Sequence, residues 1–125
     1  MSWIGRMMGH AGEADLDRVQ QEYRILLAEG ERIEAAYQVI RDLFIFTNKR
    51  LILVDKQGLT GKKVEYLSIP YRSINRFAVE TAGHLDLEAE LKIWLAGSRE
   101  PLVKTFHRDL DIYYVQRLLA TYVLR

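Results

Sequence analysis

Residues 46–72 read FTNKRLILVDKQGLTGKKVEYLSIPYR and consist almost entirely of strand and turn signals. Leu51–Val54 and Val64–Ile69 are β-branched or aliphatic runs, whereas Thr47–Arg50 and Gln57–Gly61 are polar or glycine-marked and suit turns. Two consecutive hairpins are the simplest reading. Pro70 has no N–H with which to continue a central ladder, so it ends the third of these strands or lies on an edge. Little in the stretch can do chemistry, which points to a binding fold.

The rest of the chain extends this pattern. Residues 1–12 read as an N-terminal arm carrying Trp3, Ile4, Met7 and Met8, and residues 13–125 as a single domain. Leu16, Val19, Tyr23 and Leu26 recur at helical spacing, so a helix is expected over about 14–29 with Gly30 as its C′ stop. Past the glycine the period changes to two, with Ile33, Ala35, Tyr37 and Val39 alternating with Glu34 and Gln38. Further strands are expected at Leu43–Thr47, Arg50–Lys56, Lys63–Ile69 and Ser73–Thr81, joined by short antiparallel turns. Alternation is cleanest from Leu85 to Leu95, where Leu85, Leu87, Ala89, Leu91, Ile93 and Leu95 share one face. A turn at Gly97–Pro101 precedes a seventh strand, Leu102–His107. The last helix is expected at about 110–124, with Asp109 and Asp111 as candidate N-caps and Ile112, Val115, Leu119 and Tyr122 on one face. Strands over about 32–107 and one amphipathic helix then give a mainly β fold, a strongly bent sheet or small barrel covered by the last helix.

Composition narrows the function classes. At 125 residues the chain can bury one core without staples, and the absence of cysteine excludes disulfides, thiolate metal sites and a cysteine nucleophile. Lacking cysteine, a secretory signal or an apolar run near the roughly 20 residues of a membrane span, the protein is expected to be soluble and cytoplasmic. A net charge of +1 argues against a general nucleic-acid binder. The charge is uneven, however. Between Arg41 and Arg72 there are seven basic and three acidic residues, enough for a modest positive patch at turn tips.

The order of seven strands and a C-terminal helix, with FTNKRLILVDKQGLTGKKVEYLSIPY and the later ETAGHLDLEAELKIW, resembles the bacterial pleckstrin-homology-like (PH-like) domain family from about Leu26 to Val123. The resemblance implies a PH-like seven-stranded bent antiparallel barrel capped by a C-terminal helix, here with an extra N-terminal helix. It also implies no catalytic activity, no cofactor, and assembly into closed homo-oligomeric rings, for which five subunits is the size it suggests. Phosphoinositide-binding PH domains carry a Lys-x-Lys/Arg-x-Arg cluster around the first hairpin turn. The corresponding turn here, Arg41–Asp42, has none.

Local motifs add no chemistry. Gly61-Lys62 fails as a phosphate loop because Lys56 and Lys63 stand where a glycine and a hydroxyl residue are needed, and Gly58–Gly61 fails as a KH clamp because strands flank it. Asp86, Glu88 and Glu90 recur about 7 Å apart along one face of an extended strand, a spacing open to a cation but expected to be a solvated outer face. His10, His84 and His107 lack metal-ligand spacing. The reading is therefore a non-enzymatic interaction module with no catalytic, cofactor or metal residues, assembling with itself, binding a protein partner, and touching membrane at most peripherally. Its candidate interface residues are Trp94, Trp3 and Met7. Trp94 falls on the outer strand face, where either the first helix, through Tyr23 or Leu26, or another subunit must cover it. The alternative is recognition of an anionic small ligand or lipid headgroup by Lys49, Arg50, Lys62, Lys63 and Arg72.

Overall fold

The computed structural model describes residues 13–39, 42–57, 63–107 and 111–125. The chain forms two compact units, Met1–Ile69 and Pro70–Arg125. The first contains α1 (Glu13–Tyr23), a 3-10 turn (Arg24–Leu26), and strands β1 (Ile33–Val39), β2 (Asp42–Thr47), β3 (Arg50–Gln57) and β4 (Lys63–Pro70) in the order β1-β2-β3-β4. The second contains a 3-10 turn (Tyr71–Ser73), β5 (Ile74–Glu80), β6 (Glu88–Leu95) and β7 (Leu102–His107) in the order β5-β6-β7, followed by α2 (Ile112–Val123). All seven expected strands are present, and sequence neighbours pair throughout each sheet.

In the first unit, Leu43–Thr47 and Leu51–Val54 are buried at every position. That explains why these segments read as continuous apolar runs rather than alternating ones, since both faces of the two central strands are covered. Tyr37, Phe44 and Phe46 pack their rings together, with centroids 5.3 Å and 5.8 Å from Tyr37. Helix α1 lies against β1 and buries Val19 and Tyr23.

The first helix ends sooner than its sequence pattern suggests. Helical geometry stops at Tyr23, the 3-10 turn closes at Leu26, and Leu27 is already extended. Gly30 is not the helix stop. It has φ 77 at the third position of an Ala28–Glu31 turn closed by Glu31 N–H donating to Ala28 O at 3.0 Å. A positive φ at that position is what a type II turn requires, and glycine adopts it without a Cβ clash. The Glu31 carboxylate also accepts from Ala28 N–H at 2.8 Å, giving this backbone a partner that a continued helix would not.

The strand expected over 85–95 also begins late, at Glu88. Ala89, Leu91 and Ile93 are buried as alternation requires, but Leu85 is 89% and Leu87 68% exposed. The cause is local. Asp86 N–H donates to Gly83 O at 3.1 Å while Gly83 N–H donates to Asp86 Oδ2 at 3.0 Å, so residues 83–86 close into a turn instead of joining the ladder.

Helix α2 matches its expected limits and face. Asp111 caps it, accepting from the N–H groups of Tyr113 and Tyr114 at 3.1 and 3.2 Å. Ile112, Val115 and Leu119 are buried, and Tyr122 stacks on Tyr71 with centroids 4.8 Å apart. Asp109, the other candidate cap, lies outside the described residues.

Candidate interaction surfaces

Three surface regions carry the residues singled out from sequence. The first is the β2–β3 turn. Thr47 Oγ1 accepts from the N–H groups of Lys49 and Arg50 at 3.0 and 2.9 Å and donates to Glu31 Oε2 at 2.6 Å. Arg50 grips the same carboxylate with two nitrogens, Nε to Oε2 at 2.8 Å and an Nη to Oε1 at 2.9 Å. Its remaining donors reach Leu26 O at 2.6 Å and Ser68 Oγ at 2.7 Å. Burial pushes the Glu31 carboxyl up, but hydrogen bonds from Arg50, Ala28 N–H and Thr47, with the Arg50 charge, outweigh it and hold the group at about 2. Asn48 adds a second tie by donating to Gly30 O at 3.1 Å and accepting from Arg32 N–H at 2.8 Å. Arg50, a sequence candidate for anion binding, is thus the centre of a structural clasp.

The other basic candidates do not gather around it. Lys49 is exposed in the turn entering β3, and Lys63 is exposed at the start of β4, which follows the far end of β3. Seven residue steps along a strand separate those ends by about 23 Å. Arg72 is exposed in the second unit, and Lys62 lies outside the described residues. A recess of about 390 Å³ between α1 and β1 is lined by both signs of charge, among them Asp17, Arg24, Glu31 and Arg32.

The second region is the outer face of β5-β6-β7. Trp94 is half-buried, and the Arg76 guanidinium sits over its ring at 4.5 Å. A register shift in β5 makes this contact. Ile74 pairs with Leu95 but Arg76 pairs with Trp94, which leaves Asn75 as the extra residue of a β-bulge. Without the bulge, Arg76 would stand opposite Ile93, on the buried face. The sequence placed Trp94 on this face correctly, but no local signal announces the bulge that supplies its cover. Trp3 and Met7, the other interface candidates, lie outside the described residues.

The third region is the β5–β6 connection, with Leu85 and Leu87 projecting beside Glu80, Asp86, Glu88 and Glu90 around an open recess of about 490 Å³. Of the three acids expected to share a strand face, Glu88 and Glu90 do so and Asp86 stands in the turn. Among the described residues no cluster of three acidic or histidine side chains is arranged to hold a metal ion. No described helix is long and apolar enough to cross a membrane.

Two antiparallel sheets of four and three strands followed by a terminal helix define a PH-like domain, and the family model of the bacterial PH domain matches residues 2–123. The chain belongs to the bacterial PH domain family. It is similar to the uncharacterised protein YjqA of Bacillus subtilis, 54% identical over 121 residues that cover 96% of this chain and 97% of YjqA. Crystal structures of two Shewanella proteins are similar as well. One is a pleckstrin homology domain from Shewanella amazonensis, 51% identical with a TM-score of 0.79, covering 89% of this chain and all of that one. The other is a DUF1696 family protein with a pleckstrin-homology domain from Shewanella loihica, 50% identical with a TM-score of 0.78, covering 86% of this chain and 92% of that one.

Proposed function

We propose that this PH-like domain is a non-enzymatic, cytoplasmic scaffold that assembles into a homo-oligomeric ring and binds a protein partner. The observation that carries the reading is the apolar surface left bare, with Leu85 and Leu87 on the β5–β6 connection and Ile25, Tyr66, Val103, Tyr113 and Leu124 also exposed. Exposed apolar groups rimmed by charge are typical of protein interfaces. Among the described residues the two clearly displaced groups are Glu31, held at about 2, and Tyr23, which burial and the neighbouring Glu22 push up to about 12. Both move away from the neutral range in which a general acid or base works.

Multi-angle light scattering tests the assembly. The expected result is a mass several times the 14.6 kDa of one chain, and a monomer at every concentration would overturn the reading. Trp94→Ala is expected to lower either that mass or the unfolding midpoint. If neither changed, Trp94 would be neither an interface nor a packing residue.

A further inference from the structure

Helix α1 carries two stripes, of which Val19 and Tyr23 form the buried one. Asp17, Gln20 and Gln21, with Arg24 in the 3-10 turn that follows, recur at the i, i+3, i+4, i+7 spacing of the second, and all four line the recess of about 390 Å³ between α1 and β1. A polar stripe on a surface helix ordinarily faces water alone. This one borders a concavity whose other side is the α1–β1 connection, with Leu27 and Ile33 supplying apolar lining. The volume falls in the range of small-molecule sites. The recess is also built on the N-terminal helix, which stands outside the seven strands and terminal helix that define the PH-like domain.

Some charges of the recess are already matched. Glu31 is held by Arg50 at 2.8 Å, and Arg32 by Glu34 at 3.1 Å. Asp17 and Arg24, by contrast, make no side-chain hydrogen bond, ion pair or ring contact with a described residue. What remains is one negative and one positive group at the two ends of the stripe, about 10 Å apart at roughly 1.5 Å of rise per residue. Between them, Gln20 donates its amide N–H to Ile33 O at 3.4 Å and keeps its side-chain oxygen as an acceptor, while Gln21 presents a whole amide. Amides complement peptide groups, donor to acceptor and acceptor to donor. An extended chain of about three residues spans about 10 Å. The α1–β1 connection is fixed beforehand, because Glu31 is tied to Ala28, Thr47 and Arg50, so binding orders little that was loose. We propose that the recess binds a short free peptide of about three residues, with its ammonium on Asp17, its carboxylate on Arg24 and its peptide groups on Gln20 and Gln21.

The site lies within one copy of the chain, so it stands or falls separately from the assembly reading. The probe is trialanine, titrated into the isotope-labelled full-length protein and followed by backbone amide chemical shifts. Trialanine acetylated at its N-terminus, amidated at its C-terminus, or blocked at both ends serves for comparison. Trialanine is expected to move amides within residues 17–33, and the doubly blocked peptide to move none. Asp17→Asn is expected to weaken trialanine about fivefold and leave the acetylated peptide, which has no ammonium, unchanged. Arg24→Gln is expected to weaken trialanine by a similar factor and leave the amidated peptide, which has no carboxylate, unchanged. Both positions are exposed, and unchanged shifts outside residues 17–33 verify that each variant is folded. No response to millimolar trialanine, shifts centred elsewhere, or equal binding of the doubly blocked peptide would overturn the site. Trialanine binding that both variants leave intact would overturn it as well.

Discussion

Glu31 and Arg50 are 19 positions apart, and nothing near either residue in sequence announces the other. In the structure the Glu31 side chain is 1% exposed and meets a bidentate guanidinium. Its folded value of about 2 lies below the ordinary 4.5, so the carboxylate contributes stability that is complete above about pH 4.5. As pH falls from there towards 2, the unfolded chain takes up a proton that the folded one refuses, and the contribution is lost. Its full size is roughly 3 kcal/mol, at about 1.4 kcal/mol per unit of displacement. Urea titrations at pH 6 and pH 3 are expected to show a larger fall for the parent than for Glu31→Gln. Arg50→Ala is expected to cost about 3 kcal/mol or more, because it leaves a buried carboxylate without its cation. A loss below 1 kcal/mol would mean that the clasp is not structural. From sequence alone Arg50 was one more turn cation, since its partner is brought up only by folding.

At the scale of elements, periodicity located all seven strands and the terminal helix but misplaced two ends. Both errors have the same origin. Around Ala28–Glu31 and Gly83–Asp86, side-chain carboxylates take backbone N–H groups and close turns, while the hydrophobic pattern runs on past the end of the element. A pattern of apolar residues records which side chains are available to bury, not where backbone pairing stops. The α2 start was legible because Asp111 is a short-range cap, with its whole mechanism inside three residues. Asp111→Ala removes the acceptor for two N–H groups and is expected to lower stability by about 1 kcal/mol in denaturant titrations. Asp111→Asn, which keeps the acceptor, is expected to recover most of that loss.

For the whole molecule, the fold was readable and the surface chemistry only half so. The five cations proposed for an anionic ligand formed a plausible set in sequence because they crowd into 24 positions, Lys49 to Arg72. A meander spreads such a set, putting Lys49 and Lys63 towards opposite ends of β3 while Glu31 occupies Arg50. Sedimentation with vesicles containing anionic lipid is accordingly expected to bring down no more protein than neutral vesicles do. Strong, salt-sensitive co-sedimentation would instead favour the headgroup reading. The Leu85–Leu87 turn had the opposite history. Its leucines read as core because they continue a buried alternation, and only the closed Gly83–Asp86 turn takes them out of it.

The clasp around Glu31 also governs how the first unit opens. One carboxylate receives bonds from the α1–β1 connection and from both ends of the β2–β3 turn, so none of these segments can leave without breaking the others' hydrogen bonds. Fraying of the connection and of the hairpin is thereby fused into one cooperative event, a single foldon where the chain order would allow two. The peptide bonds between Arg24 and Glu31 then become available to a protease only as often as the hairpin itself comes apart.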